Sequence, residues 1–193
     1  MAGAVPNFDT VKVGVCDCFW RPTPTNADPD PDEIYLGLTK GGCELAYTPN
    51  WYEIQVDQFG KSLTESVLIG EDVKVKVPLA ETDLAKLKLF THTGTIVTSG
   101  AKEKLTFGRR PGLRLAQLSG QIRLHPVAMA GSHEEDVIIY KCVNKAPLQL
   151  NYKLDEERIY STEFAGLVAR LTEAQEIAYT ESGYLWQIGD PTV

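Results

Sequence analysis

The sequence predicts a mainly antiparallel β domain with one or two short helices. Apolar and polar residues alternate with a period of two along many short segments, the pattern of half-buried strands. Clusters of Gly, Pro, Asn and Asp punctuate those segments, and a single stretch carries the charge order of a helix. Runs of strands with few helical intervals exclude a βαβ arrangement.

Val11 to Trp20 opens the series, with Val11, Val13 and Val15 on one face and Lys12, Gly14 and Cys16 on the other. Residues 21–32, RPTPTNADPDPD, hold four Pro and three Asp. Neither a ladder nor a helix continues through such a segment, so it reads as an exposed loop or a partner-contacting arm. Strand signals resume at Glu33 to Thr39, where Ile34, Leu36 and Leu38 alternate, and Lys40-Gly41-Gly42 reads as a tight turn before Cys43 to Tyr47.

A long hairpin follows. Trp51 to Asp57 alternates as Tyr52, Ile54 and Val56 against Glu53, Gln55 and Asp57, and Val73, Val75 and Val77 alternate against Lys74 and Lys76. Between them lies QFGKSLTESVLIGED, residues 58–72, read as a long hairpin loop. Connections of more than about 12 residues are uncommon and usually functional. Pro78 is expected to end the strand. Glu81, Thr82 and Asp83 then precede Lys86 and Lys88, the order a helix dipole favours, with Leu84, Leu87 and Leu89 or Phe90 as the buried stripe.

Further strands are expected at Thr93 to Thr98, Lys104 to Phe107, Leu113 to Leu118, Gln121 to His125, Val137 to Val143 and Tyr184 to Ile188. Residues 158–171 fit two patterns. Phe164, Leu167, Val168 and Leu171 make a helical stripe, whereas Tyr160, Thr162, Phe164, Gly166 and Val168 make one face of a strand; pattern alone favours the helix.

With 193 residues, 43% of them hydrophobic and 23% charged, the chain reads as one globular domain spanning residues 1–193. No apolar run approaches the roughly 18 residues of a membrane span, and Met1 to Thr10 lacks the order of a secretory signal. A soluble chain made in a cytoplasm, with no membrane insertion, is expected. The net charge of −7 argues against a sequence-reading nucleic-acid binder. Arg109-Arg110 with Arg114, and Lys102 with Lys104, read as solvated loop faces.

Tests for chemistry return little. Cys16, Cys18, Cys43 and Cys142 can in principle form two disulfides or a four-sulfur metal site. Yet Cys16 and Cys18 have one intervening residue and the other two stand apart, so buried free thiols are the reading adopted, with no cofactor and no metal. Gly60-Lys61-Ser62 resembles the tail of a P-loop, but Gln55 stands where the motif needs Gly, and a strand follows where it needs a helix. Gly131-Ser132-His133-Glu134-Glu135-Asp136 reads as a turn ahead of a strand, and His92 and His125 lack metal-ligand spacing. The acid pairs Glu71-Asp72, Asp155-Glu156-Glu157 and Asp32-Glu33 read as solvated turns. No GxSxG or GxGxxG occurs, so no catalytic residue is assigned and an enzyme is not expected.

Residues 41–87, GGCELAYTPNWYEIQVDQFGKSLTESVLIGEDVKVKVPLAETDLAKL, resemble the tail tube (major tail) proteins of long-tailed bacteriophages. The matching residues are Val56-Asp57-Gln58, Gly70-Glu71-Asp72-Val73, Val75, Val77-Pro78-Leu79-Ala80-Glu81 and Leu84. Phe164 and Gly183-Tyr184-Leu185-Trp186-Gln187-Ile188-Gly189-Asp190 are similar to that family's closing strands. The likeness covers about half the chain. It implies an antiparallel β-sandwich or barrel with one flanking short α-helix, and tips residues 158–171 from helix to strand.

By the same resemblance the chain assembles with itself into stacked, six-membered rings. These form a conduit for double-stranded DNA, bound without sequence specificity. Implied partners are the tape measure, tail terminator and distal tail proteins. The loop 58–72 is the expected contact between subunits or rings, through Phe59, Gly60, Lys61, Ser62, Leu63, Val67, Leu68 and Ile69. Its apolar members are ones a lone surface loop would not expose. Deleting residues 60–68 is expected to leave a folded monomer that cannot stack. Two alternatives stand beside this reading: another tail component of similar architecture, such as a distal tail or tail terminator protein, and a monomeric β-sandwich binding carbohydrate on Trp20, Trp51 and Trp186. The segment 21–32 has no counterpart in the family's pattern.

Overall fold

A computed structural model of the chain describes residues 14–22, 32–60, 62–81, 83–129, 131–150, 154, 157–168 and 185–190. Val11 to Val13, most of the Pro/Asp segment 21–32, Lys61 and residues 169–184 lie outside them.

The strands are β1 (Cys16–Arg21), β2 (Ile34–Tyr35), β3 (Glu44–Gln55) and β4 (Leu63–Leu79), followed by helix α1 (Leu84–Phe90). After the helix come β5 (Gly94–Ser99), β6 (Lys102–Phe107), β7 (Gly120–Pro126), β8 (Val137–Asn144), β9 (Tyr160–Gly166) and β10 (Trp186–Ile188). All pairings between these strands are antiparallel. The main sheet runs β2-β1-β7-β8-β9-β4-β3, and β10 pairs with β8. It occupies Val137 to Ile139, leaving Cys142 to Asn144 of the same strand for β9. The expected mainly β, antiparallel architecture with one flanking short helix is what the described residues form.

The sheet curls until its edges meet. Ile34 and Tyr35 pair with β1 at one edge, and a few residues later Thr39 bridges to Leu79 of β4 at the other. Lys40 N donates to Pro78 O and Ala80 N to Leu38 O, at 3.0 and 2.8 Å. One short segment thus satisfies backbone groups of both edges, which a flat sheet would leave open. The interior is filled by alternate residues of the curled strands. Cys18 and Trp20, then Val73, Val75, Val77 and Leu79, then Ile122 and Leu124, Ile139 and Cys142, and Tyr160 and Phe164 all belong to one buried cluster. Trp20 lies against Phe164 with ring centroids 5.4 Å apart. Gly120 permits this packing, because a Cβ there would stand 2.5 Å from the Trp20 ring.

Helix α1 covers one end of that cluster with Leu87, Leu89 and Phe90. Asp83 starts it by accepting a 2.7 Å hydrogen bond from Lys86 N, the N-cap geometry that satisfies an otherwise orphan donor. Asn144, buried, then locks helix to sheet. Its Nδ2 donates to Phe90 O at 2.9 Å, and its Oδ1 accepts from Ala146 N and Glu163 N at 3.1 Å each. The hairpin β5–β6 forms a separate two-stranded sheet.

Three expectations are corrected, and the two-way pattern of residues 158–171 is resolved over Tyr160–Gly166. Residues 58–72 are not a long loop: a short 3-10 turn, Asp57–Phe59, leads to β4, which runs unbroken from Leu63. Two bulges hide the strand in the sequence. Register shifts opposite Asn50/Trp51 and Ile54/Gln55 leave Ile69 and Thr64 as extra residues, so the period-two alternation changes phase twice. Pro78 does not end β4, which continues to Leu79, with Pro78 opposite Ser161. Leu115–Leu118 is a 3-10 turn, not a strand. Residues 160–166 form a strand, as the resemblance implied and the helical stripe did not. Between β4 and β8 they complete ladders on both sides, while Val168, a member of that stripe, is exposed.

Candidate functional site

From Lys74 onward β4 has β9 as its second neighbour; before that residue its only strand partner among the described residues is β3. Thr48–Gln55 and Leu63–Asp72 therefore leave the barrel as a two-stranded arm, about 25 Å long at roughly 3.4 Å per residue. Its root is fixed by Tyr47, whose ring packs 5.6 Å from that of Trp186 on β10. Tyr47 Oη also donates to Glu71 at 2.5 Å, and Asn50 Nδ2 to Asp72 at 3.1 Å. Pro49 falls in the ribbon opposite Glu71, on an edge strand where a missing N–H is tolerated.

The arm exposes apolar residues on both faces. Trp51 stands opposite Leu68, and Tyr52 opposite Val67. Directly opposed residues share a face and successive residues alternate, so each face carries one aromatic–aliphatic pair. Trp51 is 56% exposed, Tyr52 61% and Ile69, on the bulge, 68%. Leu63, Val67 and Leu68 are exposed as well. An isolated two-stranded ribbon is marginally stable in water, and concentrated exposed apolar groups mark an interaction surface.

Of the residues expected to make contacts, Leu63, Val67, Leu68 and Ile69 lie together on this arm, and Gly60 and Ser62 lie in the turn at its tip. Phe59 closes the 3-10 turn; its side chain and Lys61 are outside the described residues. Trp51 and Tyr52 stand outside the expected contact set, because Trp51 to Asp57 reads in sequence as an ordinary hairpin limb. Pairing of the aromatic run with the apolar run VLI was the signal available.

At the arm's foot the solvent-facing side of the sheet is charge-balanced. Lys76 pairs with Glu44 at 3.1 Å and Lys74 with Glu163 at 3.7 Å, beside Asp72 in a shallow open groove. Such exposed pairs each contribute at most about 1 kcal/mol.

Two further clusters emerge only in three dimensions. On the outer side of the barrel Glu33 accepts from Arg21 Nε at 2.9 Å and from Arg123 Nε and Nη2 at 2.9 and 2.6 Å. Arg123 also reaches Asp136 at 3.0 Å and lies over the Phe19 ring, 4.7 Å from its centroid. Burial works to lower the Arg123 pKa, but Glu33 and Asp136 outweigh it and hold the group charged. The fully buried Asp136 contacts His125 Nδ1 at 2.6 Å and His133 Nδ1 at 2.8 Å. This trio resembles a metal-ligand set. However, the Arg123 guanidinium already supplies a positive charge to the carboxylate, which disfavours a cation. The network instead ties β7 to the residues before β2 and β8. Asp32-Glu33 and Glu71-Asp72, expected as solvated turns, thus lie partly in this network and partly in the arm.

The second cluster is of sulfur. Cys16, Cys18 and Cys43 place their sulfurs within 4.8 Å of one another, with Cys18 and Cys43 3.2 Å apart. Cys142 stays a buried thiol on β8. The three tryptophans do not gather: Trp20 is buried in the core and offers no free face, Trp186 packs on Tyr47, and Trp51 is on the arm. Gly60-Lys61-Ser62 is followed by a strand, as expected, and no helix among the described residues is long and apolar enough to cross a membrane. In comparisons with known proteins, the chain matches no family model and no curated protein.

Proposed function

We propose that this chain is a self-assembling structural subunit, a phage tail tube protein whose arm docks on neighbouring copies to build stacked, six-membered rings around a DNA conduit. The observation that carries the reading is the arm: two strands with exposed apolar residues on both faces and, among the described residues, no second layer against them. A surface needing cover on both faces suits insertion between two bodies better than lying on one. A second copy supplies such cover repeatedly, and head-to-tail contacts that close into a ring leave no open edge.

The charge pattern is compatible with a conduit. A wall attracting phosphates would retain DNA, whereas the lysines of the arm's foot are paired with Glu44 and Glu163 and the chain is acidic as a whole. In this reading the tape measure, tail terminator and distal tail proteins meet the tube at its lumen and ends, and the protein resides in the virion tail.

The test is negative-stain electron microscopy and light scattering of the purified chain over a concentration series. A second variant replaces residues 51–69 by an Asn-Gly turn, which restores a hairpin between Asn50 and Gly70. This excision takes both limbs of the arm, where deleting residues 60–68 would strand one. Rings or hollow tubes are expected from the parent chain, and folded monomers from the variant. A parent chain that stays monomeric at every concentration, with or without a distal tail complex, would overturn the proposal. So would tubes of normal length from the variant.

A further inference from the structure

We infer that Cys16, Cys18 and Cys43 form a binding site for a thiophilic d10 cation of the zinc type, held by three sulfurs with a fourth position open to solvent. Sequence spacing hides the site because its third ligand arrives from the far side of the barrel seam. Cys16 and Cys18 alternate onto one face of β1, and both pack in or against the interior cluster. Gly41 and Gly42, with φ of 97° and 81°, adopt the left-handed backbone that other residues resist and turn the chain so that Cys43 enters β3 beside them.

Two features fit a metal better than three idle thiols. A tetrahedral zinc with bonds of about 2.3 Å sets its sulfurs about 3.8 Å apart, and all three here lie within 4.8 Å, so small side-chain rotations suffice. Cys16 and Cys43 are half-buried and line an open apolar cavity of about 520 Å³, which Glu135 also lines. Water can therefore fill the fourth position. Thiolate is the ligating form of cysteine, so zinc displaces thiol protons as it binds. The bound ion would clamp β1 to the root of the arm, independently of whether the arm assembles.

The test uses full-length protein, reduced and stripped with chelator, titrated with cobalt(II) and then zinc. Expected are one equivalent of cobalt with the visible bands of a tetrahedral thiolate site, bleaching by zinc, and a thermal midpoint that rises with zinc concentration. Cys16→Ser and Cys43→Ser, each checked for folding by circular dichroism, should weaken binding by more than the roughly 10–100-fold that loss of a supporting partner causes. Cys142→Ala should bind as the parent does. Absence of a thiolate spectrum at stoichiometric cobalt overturns the site, as does undiminished binding by both serine variants. A peptide map of zinc-treated protein showing a Cys18–Cys43 disulfide with Cys16 freely alkylated would do the same.

Discussion

Glu33 is shared by two buried guanidiniums, those of Arg21 and Arg123, with its own side chain 9% exposed. Removing one member of a buried ionic network breaks several short hydrogen bonds at once, at a cost of about 3–5 kcal/mol. Glu33→Ala is expected to lower the urea midpoint accordingly, with an unchanged m-value; a loss below about 1 kcal/mol, as for an exposed pair, would show that solvent reaches both arginines. Cys142 acts in the opposite sense with pH. Burial pushes its thiol well above the ordinary value, so the folded chain keeps the proton while the unfolded chain loses it above about pH 8.5. Its stabilisation is complete below that value and declines as pH rises, by about 1.4 kcal/mol per unit. In metal-free protein, Cys142→Ala should therefore flatten the alkaline limb of stability against pH relative to the parent. Parallel curves would mean that the thiol titrates freely in the fold.

At the scale of elements, legibility followed regularity. Helix α1 is readable because its cap, its stripe of Leu87 and Phe90 and its charge order agree locally, and β8 because Val137 to Val143 is apolar but for Lys141. The arm was misread because its length depends on two bulges. Thr64 and Ile69 each shift the phase, and a pattern that changes phase twice in a short span looks like a loop of mixed character. Residues 160–166 were ambiguous for another reason: Phe164 serves either periodicity, and the decision belongs to the open ladders of β4 and β8, which lie far away in sequence. The sulfur cluster was illegible from spacing. Its ligands come from two edges of one sheet, and nothing in the interval from Cys18 to Cys43 announces that the sheet closes there. Buried polar groups such as Asp136 and Arg123 were likewise invisible, since a polar residue in a strand pattern is ordinarily assigned to the wet face.

The described residues combine a closed barrel whose backbone bonds are internal with an arm that no other described element covers on either face. These parts should differ in local stability, because opening free energy tracks buried contacts and not the presence of a ladder. Barrel amides of β7, β8 and β9 open only with global unfolding; those of Thr48–Gln55 and Leu63–Asp72 open by fraying of a marginal ribbon. Hydrogen exchange on the dilute monomer should therefore show a protected barrel and a rapidly exchanging arm. Assembly changes one part alone. When neighbouring copies cover both faces of the arm, water is excluded from its ladder and its exchange should slow towards that of the barrel, while β7 and β8 remain as before. Arm amides already protected in the monomer would mean that the ribbon needs no partner. Protection gained on assembly only in the barrel would place the contact elsewhere, and Trp51 and Tyr52 would then face solvent in the tube.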